Sequence, residues 1–520
     1  MLLALTAIWI FPLVGLQTGP APQEPVVLDL TEDFELHAAW KGQATRLQAA
    51  GAKALSKKPT PEQIKMMGAI QIASKSLSTL VHMRAVDRPE DYETQVAGLR
   101  EERQTKEREL NRSLGLDEIL ATPTTQAMID AIPEGGVLVD YAVKDHVFVW
   151  AVTSEGGIHL LYLGKAPEIE KLSEDFLADL VAKRGGRAVS TQAPSDLNDP
   201  LYQAIWNPIE ELVAGREKIL LCPDGFLGKL PFAVLKNGKG QYLLEEHDFI
   251  YLEDPTAHVS RVTEPIDPDG SFLAVGNVDY GVAFVEEAVE EEEDWLAYAG
   301  DVDLRAAMGK TWIPLEATDE ETLTLVAMHR RGLKSKRVSG RLSGLVATEK
   351  RLKLELPKYN FLHLATHGFF EPMELEDQLP GLSAGLVCAN ANLPKKKDGE
   401  DGYLTAEEVA LLDLQNCQMV VLSACETALG TVRAGEGLQS LRRAFAIAGA
   451  DTVVSSCWKV GDESTAELMT SFYENLWVKR QSRSESLRNA QLKMLNHWRK
   501  QGTDGLPSTW GAFMLAGDWR

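Results

Sequence analysis

Two short apolar segments each deliver one reactive side chain at their carboxyl end: Phe361-Leu-His-Leu-Ala-Thr-His-Gly368 leads to His367, and Met419-Val-Val-Leu-Ser-Ala-Cys-Glu426 leads to Cys425. In an open, mostly parallel sheet, groups at the carboxyl ends of neighbouring strands converge on the crevice where ligands bind. A cysteine thiol is mostly protonated at neutral pH, and an imidazole beside it can lower its pKa and later protonate a leaving amine. The pair therefore suits acyl transfer through a cysteine nucleophile and a histidine base. Gly368 adds a third element. Without a Cβ its amide can approach a developing oxyanion closely, and with the Cys425 amide it forms the expected oxyanion hole. Both reactive side chains end strands at a crevice, so their removal is expected to leave stability nearly unchanged.

The remaining candidates read as structural. His363 sits among Leu362 and Leu364 inside its strand and is expected to be a satisfied core histidine. Cys222, Cys388 and Cys417 are expected to be small buried hydrophobes. Cys425 differs, because Glu426-Thr427 and a stretch with Gly430, Gly435 and Gly437, expected to be a loop, follow it.

The elements that position these groups follow from periodicity. From about Leu30 to Leu116 the pattern is helical, with Thr60-Pro61-Glu62 opening one helix and a densely charged stretch from Pro89 to Leu114. After Pro133-Glu-Gly-Gly136 the period becomes that of strands: 137–143, 147–152 and 159–163 form an expected meander. Helices over 167–184 and 199–214, then strands 218–222 and 271–275, indicate a doubly wound α/β layer. The βα rhythm breaks over 278–318, which holds an acidic block from Glu290 to Asp294. It then resumes through strands ending at His367, Cys425 and Trp458, with helices over 437–448 and 462–477. The expected division is an apolar amino-terminal segment (1–22), a helical arm (23–130) and an α/β body (131–520). Removal of everything before Ala131 is expected to spare hydrolysis.

The 520 residues carry a formal net charge of −23, which disfavours non-specific nucleic-acid binding, since a phosphate backbone needs a basic face. Five cysteines without a C-x-x-C pair signal neither a disulfide framework nor a zinc cluster, and no metal or cofactor is expected. A reducing, cytoplasmic setting is the simpler expectation. The alternative is export or membrane anchoring through the apolar residues 1–16, which no Lys or Arg precedes. A nucleotide site is disfavoured, because Gly430 to Gly437 matches neither G-x-G-x-x-G nor the P-loop pattern.

The segments Leu362-His-Leu-Ala-Thr-His-Gly368, Asp401-Gly-Tyr-Leu-Thr-Ala-Glu-Glu-Val409, Val420-Val-Leu-Ser-Ala-Cys-Glu-Thr427, Ala434-Gly-Glu-Gly437, Ser456-Cys-Trp-Lys-Val460 and Trp510-Gly-Ala-Phe513 resemble the CHAT proteases. These are caspase-like domains found with tetratricopeptide repeats in bacteria and related to separase in the caspase-gingipain clan. The resemblance covers about 131–520. It implies a caspase-like, mostly parallel sheet in two halves, an inactive one (131–277) and an active one (319–520), flanking the acidic region 278–318. It also implies a His367–Cys425 dyad and a cysteine endopeptidase acting on a protein substrate. Clear tetratricopeptide repeats are missing from the arm, which leaves room for a regulatory partner there. By the same likeness Asp462 is expected to favour a basic residue before the scissile bond, against its plain reading as a helix cap. The alternative to an enzyme is a non-catalytic caspase-like scaffold.

Overall fold

The computed structural model of the chain describes residues 30–41, 46, 49–51, 59–81, 91–114, 123–182, 198–259, 269–281, 311–332, 338–370, 381, 383–393, 401–423, 430–433, 437–458 and 460–520. The apolar segment 1–16 and the acidic block 290–294 lie outside these residues, as does Cys425. No helix among the described residues is long and apolar enough to cross a membrane.

Eleven strands form one sheet: β1 (Val137–Val143), β2 (His146–Thr153), β3 (Ile158–Lys165), β4 (Lys218–Cys222), β5 (Asp248–Tyr251), β6 (Phe272–Val278), β7 (Ser339–Gly344), β8 (Phe361–Leu364), β12 (Met419–Leu422), β15 (Thr452–Ser456) and β16 (Phe513–Gly517). Their spatial order is β3-β2-β1-β4-β5-β16-β15-β12-β8-β6-β7. The meander β1–β2–β3 is antiparallel, as its short turns require. Two parallel blocks follow. β1, β4, β5 and β16 run one way, while β15, β12, β8, β6 and β7 run the other, the switch being the antiparallel pair β15–β16. The carboxyl ends of the second block therefore share a sheet edge with the amino ends of the first.

Parallel strands need helical crossovers on both faces, so they read as unbroken apolar runs. Here Phe272, Ala274, Phe361, Met419, Val421 and Val454 enter one core, while Leu273, Val275, Leu362, Leu364, Val420 and Leu422 enter a second on the opposite face. A smaller antiparallel sheet, β11-β10-β9, is built from β9 (Gly368–Phe370), β10 (Ala384–Val387) and β11 (Tyr403–Thr405).

The amino-terminal helices are bound into this body. Helix Thr31–Trp40 buries Phe34 and Ala38 in the first core. At its end His37 Nε2 lies 2.8 Å from Asp140 Oδ2, and Lys41 Nζ donates to Asp140 Oδ1, to Tyr141 O (2.6 Å) and to Cys222 O (3.0 Å). Lys41 and Asp140 are both buried. Removing everything before Ala131 thus strips a buried carboxylate of the groups that pair with it, so such a truncation is expected to cost stability. Helices Pro61–Val81 and Tyr92–Ser113 pack as a hairpin, and Arg103 on the second pairs with Glu407 at 2.8 Å.

Candidate active site

β8 and β12 are parallel neighbours, with Phe361 opposite Met419 and Leu364 opposite Leu422. Each such pair is separated by 58 residues, the same separation as His367 and Cys425. On the β12 side residues 424–429 lie outside the described residues. Of the glycine-rich stretch beyond, β13 (Gly430–Arg433) and β14 (Gly437–Ser440) pair as an antiparallel hairpin, where a loop was expected from the glycines.

His367 follows β8 at the junction with the small sheet, and its side chain is 6% exposed. The ring lies between Trp312 and Tyr280, with centroids 5.1 and 5.2 Å away. Its Nε2 is 2.8 Å from the Ile313 carbonyl oxygen. A carbonyl only accepts, so Nε2 carries a proton, and in the neutral tautomer that this fixes the lone pair is on Nδ1. The backbone around the ring is fixed as well. His367 N–H donates to Tyr280 Oη (3.3 Å), which is 2.8 Å from Thr366 Oγ1, and Thr366 Oγ1 donates to Val387 O (2.7 Å).

Gly368 opens β9 opposite Leu386. Val387 N–H donates to His367 O at 2.8 Å, so Gly368 and Leu386 form a pair without mutual backbone bonds. The Gly368 N–H is thereby directed away from β10.

The segment carrying Ile313 is held by Asn392. Its Oδ1 accepts from Trp312 N (2.7 Å), and its Nδ2 donates to Trp312 O (2.8 Å) and Gly281 O (3.1 Å). Trp312 Nε1 donates to Tyr403 Oη at 3.0 Å. Sequence reading assigned 278–318 to an acidic loop and missed Tyr280, Trp312, Ile313 and Asn392. The Ile313 contact is made by a carbonyl, which no side-chain motif reports, and Asn392 acts through backbone atoms distant in sequence. Asn392→Ala should therefore loosen the Ile313 segment and lower the unfolding free energy by about 1 to 3 kcal/mol, the scale of buried polar groups left without their partner. Chemical denaturation showing unchanged stability would remove Asn392 from this role.

Below the strand exits, Glu321 Oε1 accepts from Ser423 Oγ (3.1 Å) and lies 3.1 Å from His363 Nε2, whose Nδ1 is 3.3 Å from Tyr473 Oη. His363 is fully buried and satisfied on both nitrogens. The adjoining cavity, lined by Thr318, Glu321, Thr366, Ser423 and Thr465, has a volume of about 30 Å³. That is room for about two waters and not for a substrate side chain.

The four described cysteines, Cys222, Cys388, Cys417 and Cys457, are buried. Burial pushes the Cys417 and Cys457 thiols up to about 12, and those of Cys222 and Cys388 well above their ordinary value. None is poised to ionise as a nucleophile. Asp462 opens helix Asp462–Tyr473 at its first helical position, and Gly461 occupies the cap position. No group of His, Cys, Asp and Glu suited to a metal ion occurs among the described residues.

The model of the CHAT domain family matches residues 196–518. Tetratricopeptide repeat protein 28 of Mus musculus is 25% identical over 335 residues, covering 59% of this chain and 12% of its own length. The chain thus spans a small part of that curated relative. Among solved structures, the Saccharomyces cerevisiae separase-securin complex aligns with a TM-score of 0.45 at 8% identity, over 89% of this chain and 36% of that one. The Arg-specific cysteine proteinase gingipain R aligns with a TM-score of 0.34 at 12% identity, over 67% of this chain and 75% of that one.

Proposed function

The chain belongs to the CHAT domain family, and from that premise we propose that it is a cysteine endopeptidase with Cys425 as nucleophile and His367 as general base. The observation that carries the reading is the anchored His367 ring. Its Nε2–H is held by the Ile313 carbonyl, and the β8–β12 register has the same 58-residue offset as the two reactive residues. The shared offset is what supports pairing Cys425 with His367 in this reading.

In the first half-reaction Cys425 Sγ attacks the carbonyl carbon of the scissile peptide, and its proton passes to His367 Nδ1. The amides of Gly368 and Cys425 stabilise the oxyanion. Collapse expels the amine, which takes the proton from Nδ1 and leaves a thioester. Water, deprotonated by Nδ1, then cleaves the thioester and regenerates the thiol. The steps use the chain's own groups and water.

The substrate is a protein, and Asp462 selects a basic residue before the scissile bond. A carboxylate pairs with Arg or Lys and is left unpaired against apolar side chains. Asp462→Asn should reduce cleavage of an Arg peptide relative to its Leu counterpart by about 10- to 100-fold in kcat/KM, corresponding to about 1.4 to 3 kcal/mol. Equal losses for both peptides would remove the specificity role. The helical hairpin 61–113 offers a place for a regulatory partner, since Arg103 pairs with Glu407 on the helix that follows β11, in the sheet that holds Gly368.

Mapping cut sites in a peptide library incubated with the purified protein tests the reading. Discrete cuts that vanish with Cys425→Ala are expected, and an intact library at high enzyme concentration would overturn it.

A further inference from the structure

A second cleft, with a volume of about 500 Å³, lies outside the site described above and falls in the size range of ligand pockets. Helix Asn198–Ile205, the residue after it and the start of helix Glu210–Val213 supply Tyr202, Trp206 and Glu210, and Glu217, Glu246 and His247 complete its acceptor-rich wall. Tyr202, Trp206 and His247 are buried and form its floor, whereas the three glutamates are exposed at its rim.

One polar group of the floor lacks a partner of its own, and another leaves a ring nitrogen for a ligand. Tyr202 is 1% exposed, and its hydroxyl has no hydrogen-bond partner. The Glu210 carboxylate stands close enough to add to the effect of burial in raising the phenol pKa, without meeting hydrogen-bond geometry. A buried hydroxyl left so is costly unless a ligand completes it. His247 Nδ1 donates to Arg216 O at 2.7 Å, and burial lowers the pKa of the ring. Nε2 of the neutral ring is therefore an acceptor. Trp206 is held in place by its ring contacts with His247 (5.8 Å) and Phe249 (5.6 Å).

The cations at the cleft do not complete this set. Arg488 already donates to Leu244 O and Glu245 O, both at 3.0 Å, and pairs with Glu217 at 3.5 Å. Lys239 stands on an exposed turn at the rim. Acceptors and carboxylates around this floor call for a ligand that brings N–H donors and positive charge.

We propose that this cleft binds an Arg or Lys side chain of the protein substrate, as a docking site remote from the scissile bond. The assignment of the ligand to the substrate rests on the endopeptidase reading; the binding chemistry does not. Glu217 and His247 directly precede β4 and β5, whose amino ends share the sheet edge with the carboxyl ends of β8 and β12. Four strand steps separate β4 from β12, or about 20 Å at ordinary strand spacing. An extended peptide covers that distance in about six residues.

Two measurements test it on the full chain. With Cys425→Ala protein, which cannot turn over, calorimetric titration should show binding of a peptide with one Arg flanked by Gly and Ser. Its citrulline counterpart should bind at least about tenfold more weakly, the scale of one charge-assisted contact. Tyr202→Phe and Glu210→Gln, each added to that background, should each weaken the Arg peptide by about fivefold, whereas Asp462→Asn should not. Equal affinity for Arg and citrulline, indifference to both cleft substitutions, or loss only with Asp462→Asn would overturn the site. In the active protein, the best peptide from cut-site mapping, extended by an Arg about six residues from the cut on either side, should show a lower KM at unchanged kcat. That advantage should disappear with Tyr202→Phe. Titration supported but KM unmoved would keep the cationic site and refute its use for substrate. Absence of any hydrolysis would refute the endopeptidase reading, and the titration would still decide the site.

Discussion

Cys425→Ala and His367→Ala should each lower peptide hydrolysis by at least about three orders of magnitude, as loss of one member of a nucleophile–base unit does elsewhere. The two variants should differ in stability. His367 is 6% exposed and packed between Trp312 and Tyr280, so His367→Ala leaves a cavity and an Ile313 carbonyl without its donor. A loss of about 2 to 4 kcal/mol in unfolding free energy is expected from that cavity and hydrogen bond together. This corrects the expectation that a histidine ending a strand can be removed without cost. His367→Gln, which keeps a donor and more of the volume, should recover part of the stability and none of the activity. Near-normal turnover in Cys425→Ala or His367→Gln would show that the dyad is wrongly assigned.

Lys41→Met should destabilise the protein by about 3 to 5 kcal/mol, because it leaves the Asp140 carboxylate buried without its principal cation. The double variant Lys41→Met/Asp140→Leu should recover most of the loss, since neither buried charge then remains. Chemical denaturation of the three proteins checks this, and a double variant less stable than Lys41→Met would refute it. The pH dependence follows from the same pair. Burial opposes charge on both groups, but the Lys41 ammonium, with the His37 contact added to it, outweighs it at Asp140 and holds that carboxyl below its ordinary value. Its contribution is present above the unfolded carboxylate value near pH 4 and is lost as pH falls through the lower folded value. At Lys41 burial is likewise outweighed, chiefly by Asp140, and the ammonium pKa is raised. That contribution is complete below the unfolded lysine value of about 10.4 and disappears only as pH rises through the higher folded value. Between these limits this pair should make stability insensitive to pH.

The strands that lead to His367 and toward Cys425 were legible in the sequence because each is a local signal. Parallel strands covered on both faces are unbroken apolar runs, so 218–222 and the approaches to His367 and Cys425 stand out directly. His363 among leucines, and Cys222, Cys388 and Cys417 in apolar surroundings, were likewise correctly read as interior side chains. Other features required the fold. The antiparallel β15–β16 pair, which reverses the two blocks and sets the amino ends of β4 and β5 on the same sheet edge as the carboxyl ends of β8 and β12, joins segments some 60 residues apart and has no local pattern. The hairpin β13–β14 looked like a loop because its glycines lack β propensity, and pairing across strands overrides that preference. The Ile313 carbonyl that orients His367 is a backbone group in a stretch dominated by acidic residues. Lys41 read as one more charge in a helical arm, and only its burial against Asp140, about 100 positions away, makes it part of the body. Sequence alone determined which residue types stand near the strand ends; tertiary packing decided what holds His367 and Asp140, because the holding contacts are backbone atoms and charges brought together from distant parts of the chain.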